Sequence, residues 1–68
     1  MSTSHVGTVV EFDVAVGLGQ VERDDGQRFL FHCIELADGT RIIEVSTPVT
    51  FGLLCKLGRY EASGVTPA

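Results

Sequence analysis

Four side chains in the middle of the chain have the spacing of a small outward-facing platform. Residues 17–23 alternate as a β-strand, the segment Asp24-Asp25-Gly26-Gln27 carries a glycine-containing turn signal, and residues 28–32 alternate again, so a β-hairpin is predicted. Within that hairpin, Phe29 and Phe31 share one face and are the natural core residues. The opposite face then presents Leu18, Gln20, Leu30 and His32. The functional question is what this platform binds.

The chain has no pattern typical of an enzyme. Asp24 and Asp25 form a carboxylate pair, but acids in a turn usually satisfy the turn geometry and water. Gly17 and Gly19 join two predicted strands and do not open a helix, so they are not a nucleotide-binding fingerprint. His32 is interpreted as a partly exposed polar residue and not as a catalytic or metal-binding group. We therefore predict a non-enzymatic protein without a cofactor.

The two cysteines do not form a metal-binding pattern. Cys33 and Cys55 lie 22 positions apart without a CxxC motif, and a zinc site would have to recruit His5 and His32 from unrelated places. We interpret both cysteines as small buried hydrophobic residues, and a disulfide between them stays open. No metal site is predicted.

Composition and charge restrict the class of protein. The chain has 68 residues, 44% of them hydrophobic, which predicts a single folded domain over residues 1–68. No run approaches the ~20 apolar residues that cross a bilayer, and the first five residues lack the features of a signal peptide, so we expect a cytoplasmic protein without membrane contact. The net charge is −4, and residues 1–36 hold six acids against two arginines. Such a balance opposes phosphate binding.

Further strand signals extend across the chain. Strands are predicted at residues 6–13, 17–23, 28–32, 49–55 and 60–66. A 3₁₀ turn is predicted at 33–36 and a turn at 37–40, while 41–45 is ambiguous but favours an extended segment. Five short strands with glycine at turns indicate an all-β fold. We predict a five-stranded antiparallel OB-type β-barrel, because closing the sheet leaves no unpaired strand edges.

The same alternation assigns residues to the interior of that barrel. The predicted core consists of Val9, Val21, Phe29, Phe31, Val49, Phe51, Leu53 and Val65. Strict alternation in the first strand separates Val6, Val10 and Phe12 from Val9, Glu11 and Asp13. Phe12 is as compatible with the core as with the platform.

Several short motifs follow one another over essentially the full chain. They are Gly7-Thr8-Val9-x-x-Phe12, Gly17-x-Gly19, Glu22-Arg23-Asp24-Asp25-Gly26-Gln27, Phe31-His32 and Val65-Thr66-Pro67-Ala68. In this order and combination they resemble the bacterial cold-shock domain. The resemblance implies a five-stranded OB-type barrel that binds single-stranded RNA or DNA by stacking bases on exposed aromatic rings.

The departures from the family fall on that binding chemistry. Where the family has Lys-Gly-Phe-Gly-Phe-Ile, this chain has Val16-Gly17-Leu18-Gly19-Gln20-Val21, and where it has Val-Phe-Val-His-Phe, this chain has Phe29-Leu30-Phe31-His32-Cys33. The family's Lys-Trp-Phe-Asn in strand one reads Val10-Glu11-Phe12-Asp13. Phe12 and His32 alone keep the binding-face chemistry. We expect binding of single strands to be weak and strongly salt-dependent, or absent.

Two functions from different classes therefore remain open. In the first, a degenerate stacking platform of Phe12, Leu18, Gln20, Leu30 and His32 binds single-stranded nucleic acid, with Arg28, Lys56 and Arg59 as candidate phosphate contacts. In the second, the barrel binds a partner protein or a second copy of itself through the aliphatic residues Val10, Val16, Leu18 and Leu30.

Overall fold

Five strands close into a barrel in the computed structural model, which describes residues 4–36, 39 and 42–68. The strands are β1 (His5–Asp13), β2 (Leu18–Arg23), β3 (Arg28–His32), β4 (Pro48–Lys56) and β5 (Arg59–Pro67), with a 3₁₀ turn at Cys33–Glu35. Around the barrel the order is β1-β2-β3-β5-β4, and β4 pairs with β1. The all-β, five-stranded OB-type barrel predicted from the sequence is confirmed.

One pair of neighbouring strands differs from the antiparallel prediction. β3 and β5 are parallel at Leu30 and Glu61, and a bridge between Leu36 and Val65 continues in the same sense. The other neighbouring pairs are antiparallel. Five strands in a closed ring cannot reverse direction at every neighbour, so closure of an odd number of strands requires at least one parallel pair. The barrel is therefore mixed.

Asp13 organises the turn between β1 and β2. Its carbonyl accepts a hydrogen bond from the Gly17 N–H at 2.8 Å. Its side-chain Oδ1 accepts further bonds from the N–H groups of Ala15 at 3.0 Å and Val16 at 3.3 Å. One carboxylate thus satisfies the backbone of an apolar connection. Gly17 has φ 77°, in the left-handed region that glycine adopts without steric cost.

The predicted turn between β2 and β3 is confirmed. The Arg23 N–H donates to the Gln27 carbonyl at 2.7 Å, and the Gly26 N–H donates to the Arg23 carbonyl at 2.8 Å. Oδ1 of Asp25 accepts a bond from the Gln27 N–H at 3.0 Å, as turn aspartates commonly do. This hairpin holds β2 and β3 in a register that places Leu18 across from His32 and Gln20 across from Leu30.

The core follows the predicted alternation closely. Seven of the eight predicted residues are buried, and Leu53 is half-buried against them. Leu36 and Ala62 are buried in addition. Leu36 enters through its parallel bridge with Val65, a long-range contact that local alternation does not encode.

A β-bulge interrupts the alternation of β1. The register with β2 shifts between Val9 and Glu11, so Val10 is an extra residue. Beyond the bulge the inner and outer positions are exchanged. Phe12 packs against the core together with Val9, while Glu11 and Asp13 are exposed. The strict alternation predicted for residues 6–13 is therefore wrong after Val9.

Other predictions for the connections have mixed outcomes. The 3₁₀ turn is confirmed at Cys33–Glu35. Most of the predicted turn at 37–40, and the first residue of the predicted extended segment at 41–45, lie outside the described residues. Residues 42–45 form no strand.

Neither cysteine is fully buried. Cys33 is half-buried and Cys55 is exposed, and both thiols are free, so the interpretation as buried hydrophobic residues is wrong for Cys55. Over residues 4–36, 39 and 42–68, no group of three or more potential ligands is arranged to hold a metal ion. Across the same part of the chain, the structure contains no helix with the length and hydropathy needed to cross a membrane.

Candidate binding surface

Four of the five predicted platform residues lie together on the outer face of β2 and β3. Leu18 is directly across from His32, and Gln20 is directly across from Leu30. Directly opposed side chains on neighbouring strands have Cβ atoms ~4.5–5.5 Å apart, so the four form one contiguous patch. Leu30 is exposed, and the other three are half-buried. We call these four residues the platform.

Phe12, the fifth predicted residue, lies on the inner side of the sheet. It is paired with Gly19, and its ring stacks on Phe31 with the two centroids 5.9 Å apart and the planes at 13°. A Cβ atom on Gly19 would lie 2.6 Å from Cζ of Phe31, so the Phe31 ring fits against β2 only because residue 19 is glycine. Phe12 is half-buried and supports the platform from beneath.

A groove of about 270 Å³ borders the platform at the β1–β2 end. It is lined by Glu11, Asp13, Val16, Leu18, Gly19 and Leu30. Val16, Leu18 and Leu30, three of the four residues predicted for a protein interface, therefore meet in one place. Val10, the fourth, is half-buried in the β1 bulge.

Three cations share the other side of the platform, and we call them the basic edge. β3 and β5 run parallel and are aligned at Leu30 and Glu61. Arg28 lies two positions before Leu30, and Arg59 lies two positions before Glu61, so the two arginines lie at the same end of these strands. Lys56 of β4 is directly across from Arg59. All three cations are exposed. The sequence alone did not reveal that they share one end of the β3–β5–β4 surface.

Glu61 lies between the platform and the basic edge. Its Oε1 is 3.8 Å from Nζ of Lys56 and 3.8 Å from Nε2 of His32, and its side chain is 18% exposed. Sequence reasoning missed this residue. Alternation with the buried Ala62 indicates an outward position, but only the non-local pairing with Leu30 brings it to the platform.

The outer surface is consequently divided in charge. Glu11 and Asp13 lie beside the groove on β1, whereas the basic edge belongs to β3, β4 and β5, where Glu22 of β2 is directly across from Arg28. A negatively charged ligand is therefore repelled at the groove and attracted at the basic edge. This division of charge favours one orientation of a charged ligand on the surface.

Arg23 has a structural role near the β2–β3 turn. Its Nη2 donates to Oδ2 of Asp25 at 2.7 Å, its Nη1 lies 3.4 Å from Nδ1 of His5, and its Cζ is 5.1 Å from the centroid of the Phe29 ring. The hydrogen bond from Arg23, followed by that from the Gln27 N–H, lowers the pKa of Asp25 to about 2. The same hydrogen bond with Asp25 raises the pKa of Arg23.

Comparison with known proteins supports the fold. No protein-family model matches the chain, and no curated protein matches it. Among solved structures, one described as Drosophila Unr CSD456 matches with a TM-score of 0.81 and 24% sequence identity. The alignment covers 97% of this chain and 27% of that one, so this chain spans about a quarter of its length. The barrel has the fold of a cold-shock domain.

Proposed function

We propose that this barrel is a non-enzymatic module that binds single-stranded nucleic acid weakly, over the basic edge and the adjoining part of the platform. The observation that carries the proposal is the shared location of Arg28, Lys56 and Arg59, next to Leu30 and on a barrel with the cold-shock fold. Exposed cations beside an apolar surface allow phosphates and bases of one strand to be contacted together.

The platform explains why the expected affinity is low. A base stacked on an aromatic ring contributes ~1–3 kcal/mol. Leu18 and Leu30 offer apolar contact without a planar π surface, and Gln20 offers hydrogen bonds. The His32 ring, 44% exposed, is a planar group on this surface that a base can stack on.

Charge sets the path of the strand. Three cations neutralise about three phosphates, and log Kd for a single strand then changes with log salt by about 0.7 per phosphate, or about 2 in total. Glu11 and Asp13 repel phosphates from the β1–β2 side. The bound strand therefore runs across β3, β5 and β4 and avoids the groove.

Fluorescence anisotropy with labelled oligo(U) at low salt tests the proposal. We expect saturable binding with a Kd of about 1–100 μM, the range of sequence-independent binding. Lys56→Gln should weaken binding several-fold. Val6→Glu is the matched control, because it changes the net charge equally at an exposed position on β1 paired with β4. An absence of saturable binding, or equal losses in both variants, contradicts the proposal.

Protein interaction is the second candidate function. A specific observation favours it, because Val16, Leu18 and Leu30 line one groove. The carboxylates of Glu11 and Asp13 line the same groove. Apolar surface with a polar rim is a common feature of protein interfaces.

A further inference from the structure

The groove at the β1–β2 end differs in chemistry from the basic edge. Val16 is 64% exposed and Leu30 is 38% exposed, so aliphatic surface on its walls is open to water. A volume of about 270 Å³ lies just below the ~300–1,000 Å³ typical of pockets that enclose a whole small-molecule ligand. Its size and open shape suit an anchoring side chain from a larger partner.

The two carboxylates at the groove are in different situations. Oδ1 of Asp13 accepts hydrogen bonds from two turn amides, which keeps this carboxylate in place. Glu11 is exposed and directly across from Gln20 on β2. Within the described residues, the side-chain carboxylate of Glu11 makes no hydrogen bond or ion pair. Its charge is therefore available to a ligand.

The negative charges of Glu11 and Asp13 favour one kind of groove ligand over the others. A nucleic-acid strand brings phosphates against Glu11 and Asp13, which costs Coulomb energy. A second copy related by a two-fold axis through the groove brings the same two acids against their own counterparts, which is also unfavourable. A partner with cationic side chains beside an apolar anchor satisfies both the charge and the aliphatic walls.

We propose that the groove docks a protein segment with an aliphatic or aromatic anchor flanked by lysine or arginine. The anchor contacts Val16, Leu18 and Leu30, and the flanking cations pair with Glu11 and Asp13. This site goes beyond the proposed nucleic-acid function, because it uses the opposite side of the platform. Both ligands contact Leu30, so they compete.

The test is titration of the full chain with the peptide acetyl-Lys-Lys-Leu-Phe-Lys-Lys-amide at low salt, followed by backbone amide NMR. We expect saturable shifts concentrated at Glu11, Leu18 and Leu30. A peptide with glutamate in place of every lysine is the matched probe and should not bind. Equal binding of the two peptides, or no saturable shift with the lysine peptide, overturns the proposal.

Variants assign the contacts. Leu18→Ser should weaken peptide binding about tenfold through lost apolar contact, and Glu11→Gln about fivefold through the lost charge. Glu22→Gln, on the same outer surface but outside the groove, should leave the affinity within about twofold. If Glu22→Gln weakens binding as much as Glu11→Gln, the peptide responds only to net charge and the groove is not its site.

Two further outcomes separate this inference from the proposed function. Oligo(U) binding at the basic edge without peptide binding refutes the groove assignment and leaves the nucleic-acid function intact. Peptide binding without oligo(U) binding refutes the nucleic-acid function and leaves the groove assignment intact. If oligo(U) shifts Glu11, Asp13 and Leu18 most strongly, or if sedimentation detects a dimer that Leu18→Ser weakens, the groove has a different occupant and the proposal is wrong.

Discussion

Oε1 of Glu61 lies 3.8 Å from Nζ of Lys56, so a carboxylate already partly neutralises one of the three cations of the basic edge. The same oxygen is 3.8 Å from Nε2 of His32. A phosphate that approaches Lys56 must therefore compete with Glu61. Under the proposed function, Glu61 therefore lowers the affinity of the basic edge for a nucleic-acid strand.

Replacement of this carboxylate should tighten binding. We predict that Glu61→Gln lowers the Kd for oligo(U) about three- to fivefold at low salt, the scale of a partly exposed ion pair. Anisotropy titrations measure the change. Glu44→Gln is the control, since it alters the net charge equally at an exposed position before β4. Equal tightening in both variants would attribute the effect to net charge and not to the contact.

An aromatic ring on the β3 side of the platform should increase the affinity for single strands. Leu30→Phe adds a stacking surface on β3, and we expect a gain of about 1 kcal/mol, or about fivefold in Kd. Leu18→Phe adds the same ring in the acidic groove that the strand avoids, so it should leave Kd nearly unchanged. Val6→Phe adds the same ring to an exposed site on β1 and should leave Kd unchanged. If Leu30→Phe does not tighten oligo(U) binding, the strand does not cross the platform.

Gly19 should be intolerant of a side chain. A Cβ atom there would lie 2.6 Å from Cζ of Phe31 and 2.8 Å from the Glu11 carbonyl oxygen, so we predict that Gly19→Ala destabilises the barrel by ~1–3 kcal/mol. At Gly52 the Cβ would meet Oγ of Ser63 at 3.4 Å, and Gly52→Ala should cost clearly less. Urea unfolding measures both. Equal costs would contradict the close packing of Gly19 on Phe31.

The Arg23–Asp25 ion pair predicts a pH dependence of stability. The pKa of Asp25 is about 2 in the folded chain, below the ~3.9 of an unfolded aspartate. Its contribution is therefore present above about pH 4 and is lost as the pH falls through 2.

Thermal unfolding of the wild type and Asp25→Asn checks this sign. The difference in unfolding midpoint should be constant from pH 7 to 5 and shrink between about pH 4 and 2. Asp24→Asn, in the same turn, removes an equal charge but keeps the ion pair, and should lack this pH dependence. A midpoint difference that grows toward pH 2 would be the opposite of the predicted behaviour.

Local patterns predicted most of this fold. Alternation around Phe29 and Phe31, together with the turn at Gly26, correctly predicted the β2–β3 hairpin and which of its side chains share the outer face. The β1 bulge escaped prediction because one extra residue exchanges the two faces without any local change in composition. Phe12 therefore lies on the inner side, and Glu11 is exposed at the groove.

Non-local strand pairing determines the features of the site that local sequence patterns did not predict. The parallel contact of Leu30 with Glu61 joins strands separated by about half of the chain, and no local pattern encodes its register. That register determines both the basic edge and the position of Glu61. The platform and basic-edge residues were thus named individually from the sequence, but Glu61 was missed, and the division into an acidic groove and a basic edge required the closed barrel.

The central claim is that a single strand binds along β3, β5 and β4 and avoids the acidic side of the platform. Backbone amide NMR during an oligo(U) titration of the full chain at low salt tests it most directly. We predict saturable shifts at Arg28, Leu30, His32 and Arg59, with small shifts at Glu11 and Asp13, and a salt slope of about 2. Absence of saturable shifts, or shifts concentrated at Glu11 and Asp13, would contradict the account.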